Sequence, residues 1–407
     1  MRERPRLLFV APWFLFPRTH GGRIRTTDLL RGMKGGACEI TLISPAPTGQ
    51  NDWSAEIASV CDGFISWQDD TNRSVLNRVL SLVSSLPVAV ALDRSRRARE
   101  AIARALASRP DVVVLDFVHT AILAPAGPLP MRSVLLTHNV ESEIHARNAH
   151  VARSALARAV WRGQRGKMER FERDALHRFD TVVAVSERDA VFLRDQYGIA
   201  NVRVVPTGVD VDFCAYAPTL GRGDVASTGG KIVFTGSMDW RPNIDGLEWF
   251  MEHAWARIVA ASPASRLVVA GRNPPRRLVA EVARRGLPWT FTGLVDDVRP
   301  YVRDADVSVV PLRTGGGTRL KVYEAMALGC PVVSTTVGVE GLPLAPDEHY
   351  LRADDAEAFA AAVLRLLRDS ALRERLASAA RQYVVANCSL PVVGRAFEAI
   401  CLETMRG

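Results

Sequence analysis

The stretch GGGTRLKVYEAMALGCPVVSTTVGVEGL, from Gly315 to Leu342, decides how this chain is read. A glycine run breaks into a short helical pattern, Gly329 stops it, and PVVST opens a β-branched run. Loop, helix and strand in that order place Gly315–Thr318 at a helix N-terminus. Backbone N–H groups without intrahelical partners and the positive end of the helix dipole favour an anion there. Arg319 and Lys321 add two cations at the same mouth, and Glu324 follows about one turn in. Such a site suits a diphosphate, with a carboxylate left to accept hydrogen bonds from sugar hydroxyls.

Working outward, short β-branched runs alternate with helical stretches along the whole chain. Strands are read at Leu7–Ala11, Glu39–Ser44, Val112–Asp116, Val134–Thr137, Thr181–Val185 and Val202–Val205. In the second half they are read at Lys231–Thr235, Arg266–Ala270, Trp289–Thr292, Val307–Pro311 and Val332–Thr335. Helical patterns cover Thr26–Lys34, Arg96–Ala107, Ala152–Arg178 and Pro391–Met405. Continuous apolar strands separated by helices predict parallel sheets covered on both faces, an α/β class. A chain of 407 residues is too long for one ordinary core, so two doubly wound domains are expected. The small, polar, glycine-rich run Thr219–Gly230 marks the break. The expected domains are 1–215 and 216–387, with a C-terminal helix, about 388–407, packing back on the first.

Hydrophobic residues at 48% and charged residues at 24% fit a globular protein in water. The net charge of +8 is compatible with nucleic acid, an anionic membrane surface or anionic substrates as partners. Six scattered cysteines, with no C-x-x-C and no histidine at ligand spacing, read as buried reduced thiols in a cytoplasmic protein. The start, MRERPRLLFVAPWFLF, is basic then apolar but lacks a small-residue cleavage site, so it reads as a strand running into a glycine loop. No apolar run approaches the length of a membrane span.

Four further constellations carry weight. Gly21–Gly22, in HGGRIRTTDLL, open a helix after the first strand, where N-terminal amides could face a phosphate. Arg23 and Arg25 read as solvated helix charges. His138–Asn139 follow the strand Val134–Thr137. There a histidine can move a proton or bind a sugar hydroxyl, or simply cap the next helix. His119 competes for the same role, while His145 and His150 read as surface. The pairs Asp210/Asp212 and Asp304/Asp306 have the D-x-D form that can hold a divalent ion, but they sit where Asp caps a turn. Arg147–Arg178 reads as one or two amphipathic helices with Val151, Leu156, Val160, Trp161, Met168 and Phe171 as apolar positions. A solvated face is one reading of it, and peripheral contact with an anionic membrane through 147–178 is the other.

With these residues in view, the chain resembles glycosyltransferase family 4, retaining enzymes of GT-B architecture, over nearly its whole length. The resemblance rests on RLKVYEAMALGCPVVSTTVGVEGL, FTGSMDWRPNIDGLEWF, VVPTGVD, VAVSERD, VVAGRNP and GLVDDVRPY. It implies two Rossmann-like domains facing across a deep cleft, the first binding acceptor and the second binding a nucleotide-sugar donor. It further implies transfer of a sugar from a UDP- or GDP-linked donor to an acceptor hydroxyl. The setting would be polysaccharide, glycolipid or glycoconjugate biosynthesis in the cytoplasm or at the inner face of the membrane. Glu324 matches the second Glu of a Glu-x7-Glu pattern and is expected to hold the ribose. Gly317, Thr318, Arg319 and Leu320 match the segment whose amides meet the diphosphate, and Gly316 beside them is a further donor-binding candidate. Val295 matches a loop at the nucleobase, Gly22 the glycine that admits the diphosphate, and His138 a histidine near the transferred sugar. Gly21, Gly236, Arg241 and Arg272 complete the expected donor contacts.

The chain also departs from the pattern. The first Glu of Glu-x7-Glu falls at Gly316. Ser237 and Pro242–Asn243 stand where many relatives carry an Arg and a Lys. Arg319 and Lys321, with Arg241, are expected to supply that charge instead. No metal and no other cofactor is then needed, because cations and amides can stabilise the leaving diphosphate. His138, Glu324, Lys321 and Arg319 are the catalytic candidates. A sugar-nucleotide 2-epimerase on the same fold, a non-catalytic carbohydrate-binding relative and a nucleic-acid-binding protein are the alternatives.

Overall fold

A computed structural model describes residues 4–152, 154–214, 225, 229–317 and 319–407. The expected break at Thr219–Gly230 lies largely outside them, and so does Thr318. The described chain forms two compact units. The first comprises 1–208, 316–318 and 390–407, and the second 209–315 and 319–389. The chain therefore leaves the first unit near Gly208 rather than at 215.

The first unit is built on a seven-stranded parallel sheet of order β3-β2-β1-β4-β5-β6-β7. Its strands are β1 (Arg6–Val10), β2 (Glu39–Pro45), β3 (Gly63–Trp67), β4 (Val112–Asp116), β5 (Arg132–Leu136), β6 (Thr181–Ala184) and β7 (Val202–Val204). The second unit carries a six-stranded parallel sheet of order β10-β9-β8-β11-β12-β13. Those strands are β8 (Lys231–Thr235), β9 (Arg266–Ala270), β10 (Trp289–Gly293), β11 (Val307–Val310), β12 (Val332–Ser334) and β13 (Leu351–Arg352). The central strands β4, β6 and β11 are buried at every position, which is why their sequences are continuous apolar runs rather than alternating ones.

In both sheets the order reverses beside the first strand, between β1 and β4 and between β8 and β11. Ligands of doubly wound sheets bind outside the carboxyl ends of strands at such a reversal. The loops leaving those four strands thus define where each unit's site lies.

The helix Leu390–Arg406 belongs to the first unit. Val393, Phe397 and Cys401 enter the core on one face of its sheet, and Glu398 accepts from the Cys38 amide at 2.9 Å. It crosses the helix Gly21–Met33 glycine against glycine. A Cβ on Gly32 would stand 2.1 Å from the Leu390 carbonyl oxygen, and one on Gly394 2.1 Å from Gly32 C. All six cysteines are buried and unpaired, as read from their spacing.

The arginine-rich stretch forms two helices, one of the two forms its pattern allows. It divides into Glu141–Val151 and Ala155–Leu176, and the second helix is capped by the Ser154 hydroxyl, which accepts from the Ala157 amide. Met168 is fully buried and Phe171 packs on the core, so neither belongs to a solvent-facing stripe. Leu156 and Val160 do face solvent. His145 is also not surface. It is half-buried, with its ring 5.5 Å from that of Trp161, and burial holds its pKa below the usual value. No helix among the described residues is long and apolar enough to cross a membrane.

Candidate functional site

In the first unit, the loops after β1, β4 and β5 place the site residues. The helix Gly21–Met33 starts at the glycine pair itself, with His20 as its N-cap residue. Nothing lies within 4 Å of a Cβ built on Gly21, but one on Gly22 would stand 2.7 Å from Phe117 Cζ. Phe117 leaves β4 with φ +66°, a conformation that side chains rarely adopt. Its ring stacks on His138, with centroids 3.5 Å apart and planes 6° from parallel.

His138 is 4% exposed, and its Nε2 lies 2.6 Å from Asp116 Oδ1. A carboxylate only accepts, so Nε2 carries the hydrogen and Nδ1 is the acceptor nitrogen. Asp116 Oδ2 in turn accepts from the Thr26 hydroxyl at 2.7 Å. Burial lowers the His138 pKa and Arg25 adds to the fall, against the opposing pull of Asp116. A neutral, oriented imidazole results, not a helix-capping one.

Arg25 is not a solvated charge. It is 3% exposed, and its guanidinium donates to the Thr137 carbonyl at 2.8 Å and the Val205 carbonyl at 3.4 Å. It braces the ends of β5 and β7 from inside, at the cost of a guanidinium pKa lowered to about 10 by desolvation. Its position inside an amphipathic helical pattern gave no hint of this. His119 is tied elsewhere, with Nδ1 3.4 Å from Asp93 and Nε2 4.0 Å from Glu141. Burial alone would lower its pKa, but those carboxylates raise it.

The second unit's site gathers at the carboxyl ends of β8 and β11. Gly236 follows β8 with φ +150°, and a Cβ there would stand 2.7 Å from both Asn243 Nδ2 and Lys321 Nζ. Gly271, after β9, approaches from the other side, where a Cβ would be 1.9 Å from the Gly236 carbonyl oxygen. Asn243 is 3% exposed; it donates to the Ser237 carbonyl at 2.7 Å and accepts from Lys321 Nζ at 2.8 Å. The ammonium also lies 4.3 Å from the centroid of the Phe234 ring. Desolvation lowers the Lys321 pKa to about 7, with Arg319 adding to the fall and Glu324 opposing it.

Lys321 and Glu324 sit on the helix Leu320–Ala327, for which Arg319 is the N-cap residue. The helix thus starts after the glycine loop, in which Gly315 and Gly317 take φ of +117° and +86°. Arg319 is 3% exposed and donates to the carbonyls of Gly315 at 3.2 Å and Val337 at 3.0 Å. Its guanidinium lies 5.7 Å from the Trp240 ring centroid and 3.9 Å from Glu340. Leu328 caps the C-terminus and Gly329 follows with φ +78°, the glycine stop read in the sequence.

Gly236, Arg319 and Lys321 are therefore brought together, with Glu324 on the next turn of the same helix. Arg272 joins them at one remove, donating from Nε to the Ser237 hydroxyl at 3.1 Å and pairing with Asp239 at 2.7 Å. Arg241 is drawn off instead, since its half-exposed guanidinium lies 3.8 Å from Glu248. Val295 is half-buried in the loop after β10. The D-x-D pairs do structural work: Asp210 accepts from the Phe213 amide, Asp306 from the Lys231 amide, and Asp304 pairs with Lys231 Nζ. Sequence reasoning missed Asn243, Asp116 and Phe117. Only Asn243 had a signal, since it stands beside the position where the resemblance expects a Lys.

Two parallel, doubly wound sheets with these glycine loops are the GT-B class of fold. The whole chain superposes on sucrose-phosphate synthase from Thermosynechococcus elongatus with TM-score 0.71 at 19% identity, covering 99% of this chain and 100% of that one. A crystal structure of Anabaena HepE in complex with UDP and glucose superposes with TM-score 0.67 at 12% identity, covering 98% and 100%.

Family models assign the sequence more narrowly. Residues 20–213 match Glycosyltransferase Family 4, and residues 229–369 match Glycosyl transferases group 1. The chain belongs to glycosyltransferase family 4. Phosphatidyl-myo-inositol mannosyltransferase of Mycobacterium leprae is 30% identical over 206 residues, 50% of this chain and 54% of that protein. The chain spans about half the length of the curated relatives it matches.

Proposed function

We propose that this protein is a retaining, metal-independent glycosyltransferase that moves a hexose from a UDP- or GDP-linked donor to an acceptor hydroxyl. One observation carries the reading. Lys321 Nζ is held by Asn243 against the Gly236 turn, with Arg319 beside it, at the reversal point of the second sheet. A cation there, next to a helix N-terminus, can meet the charge that grows on the β-phosphate oxygen as the glycosidic bond breaks. The leaving phosphate then takes the acceptor's proton, so no side-chain base is required.

Glu324 is assigned to the ribose hydroxyls and Val295 to the nucleobase. Gly21, Gly22 and Gly236 are assigned to close approach of the donor. Gly316, Gly317, Thr318, Leu320 and Arg272 complete its contacts. His138, neutral and oriented by Asp116, is assigned to the transferred sugar as a hydrogen-bonding group. The UDP of the HepE complex supports a uridine donor, and the name of the M. leprae relative supports a lipid-linked polyol as acceptor.

The test is a thermal-shift panel of nucleoside diphosphates, followed by transfer assays with and without EDTA and NMR of the product's anomeric carbon. Stabilisation by one diphosphate and EDTA-resistant transfer with retention are expected. Conversion of donor without acceptor would mean an epimerase, and stabilisation without any turnover would mean a binding protein.

A further inference from the structure

The helix Glu141–Val151 follows the His138–Asn139 loop directly, and its N-cap residue, Val140, carries no side-chain acceptor. The first amides of a helix have no partner within it. Here another helix supplies one. Glu172, on Ala155–Leu176, accepts from the Glu141 amide at 2.7 Å through Oε1 and from the Ser142 amide at 3.1 Å through Oε2. Oε2 also accepts from the Tyr197 hydroxyl at 2.8 Å, and that hydroxyl lies 2.7 Å from Ser142 Oγ. Glu172, Ser142 and Tyr197 are all buried.

A Ser or Asp at position 140 would satisfy such amides locally. A buried carboxylate is the costlier solution. Desolvation, with Glu141 adding to it, pushes the Glu172 pKa up to about 7. What this carboxylate does beyond capping is to tie the start of one helix to the middle of another, within four residues of His138. The segment His138–Ser142 is thus held at both ends, the imidazole by Asp116 and the two amides by Glu172. Between them Asn139 Nδ2 donates to Glu141 Oε1 at 3.3 Å.

We propose that Glu172 is a positioning residue for sugar transfer: through the Glu141 and Ser142 amides it fixes the segment that presents His138. The inference rests on the role proposed above for His138. A displacement of about 1 Å, even from a change far from the chemistry, can cost about 10²-fold in rate. The ionised carboxylate accepts from all three donors, whereas the acid must donate from one oxygen and weakens a bond to an amide. Glu141 faces it from the helix it caps, Tyr197 from the end of the helix Glu187–Tyr197, and His119 from the loop after β4. Arg173 and Glu169 lie beyond Tyr197. With the carboxyl titrating near neutrality, kcat at saturating donor should fall as pH drops through 7. Lys321 acts in the opposite sense and on donor affinity, so the two effects separate.

The experiment compares Glu172→Gln and Tyr197→Phe with wild type. Glu172→Gln keeps the shape, removes the titration and turns an amide nitrogen toward a donor. A kcat roughly tenfold lower, loss of the acid limb and unchanged nucleoside diphosphate affinity by calorimetry are expected. Tyr197→Phe keeps both amide bonds but removes one donor to the charged form, so its acid limb should move to higher pH with the plateau kept. That variant keeps the test open if Glu172→Gln misfolds. Imidazole NMR reads positioning apart from turnover: the His138 signals, assigned by their loss in His138→Asn, should shift in Glu172→Gln. Unmoved signals, an acid limb retained by Glu172→Gln, or a kcat loss matched by losses of diphosphate affinity and melting temperature would overturn the proposal. Moved signals with an unchanged kcat would overturn the role given to His138, and the catalytic part of this inference with it.

Discussion

Lys321 Nζ and Asn243 Oδ1, 2.8 Å apart, join two helices that start at the ends of neighbouring strands in the second sheet. Asn243 is fixed in turn by its hydrogen bond to the Ser237 carbonyl. The family resemblance expects a cation on the segment that here carries Ser237 and Asn243. In this chain Lys321 reaches the same segment from the other side of the site. That geometry supports the exchange of cations inferred from sequence.

Removing the ammonium should therefore remove transition-state stabilisation while leaving the fold. Lys321→Ala is expected to lower kcat by about 10²–10³, the cost of deleting one preorganised donor to developing negative charge. Asn243→Ala should lose less, because it displaces the cation rather than deleting it. Equal kcat values for wild type and Lys321→Ala, measured at saturating donor, would remove Lys321 from the chemistry.

The buried ammonium also sets a pH dependence. With its pKa lowered to about 7 from 10.5, Lys321 is charged below pH 7 in the free protein and neutral above it. Nucleoside diphosphate affinity should then weaken as pH rises through 7, read by calorimetry. The stability sign is the opposite one. Between about pH 7 and 10.5 the unfolded chain holds a proton that the folded chain does not, so this group makes stability rise with pH over that window. Lys321→Met should flatten both trends, and melting curves from pH 6 to 9 test the second.

Glu324 is the second residue of the same helix that the reading needs. Glu324→Gln keeps the shape and one acceptor oxygen but loses the charge that receives two hydroxyls. We expect the donor KM to rise about tenfold, equivalent to one charge-assisted hydrogen bond. An unchanged KM with a lowered melting temperature would make Glu324 structural.

How much of this was legible beforehand follows from where each signal lives. Eleven strands were readable because parallel strands buried on both faces are continuous β-branched runs. β3 and β13 were not: β3 is an edge strand whose GFISW exposes Ile65, and β13 has only two residues. The glycine loop and its cations were readable because a helix start and a charge are local in sequence. Asp116, Phe117 and His138 were not legible as a group, since they come from the ends of two strands and only the sheet brings them together. Arg25 failed for a related reason. Periodicity reports which face of a helix is buried, but the carbonyls that accept from Arg25 belong to Thr137 and Val205.

The stack of Phe117 on His138 predicts a specific effect for Gly22. Its Cβ would press on the ring edge at Phe117 Cζ, and a face of the same ring carries the imidazole. Gly22→Ala should reduce turnover more than stability, whereas Gly21→Ala, whose Cβ meets no protein atom, should leave the melting temperature near wild type. Transfer rates and melting temperatures of both variants decide it, and a Gly22→Ala protein of full activity would detach this stack from function.

The crossing of Gly32 on Gly394 predicts a purely structural loss. A methyl at either position would overlap backbone atoms at 2.1 Å, and backbone cannot rotate away as a side chain can. Gly32→Ala or Gly394→Ala must push the helix Leu390–Arg406 off the sheet. That uncovers Phe397 and Cys401 and strains the Glu398 bond to the Cys38 amide. We expect a cost of about 1–3 kcal/mol or more in urea denaturation, the range for overpacked cores. The double variant should cost less than the sum of the two, because both mutations relieve themselves by the same displacement. Additive costs would mean that the two helices do not move as one contact.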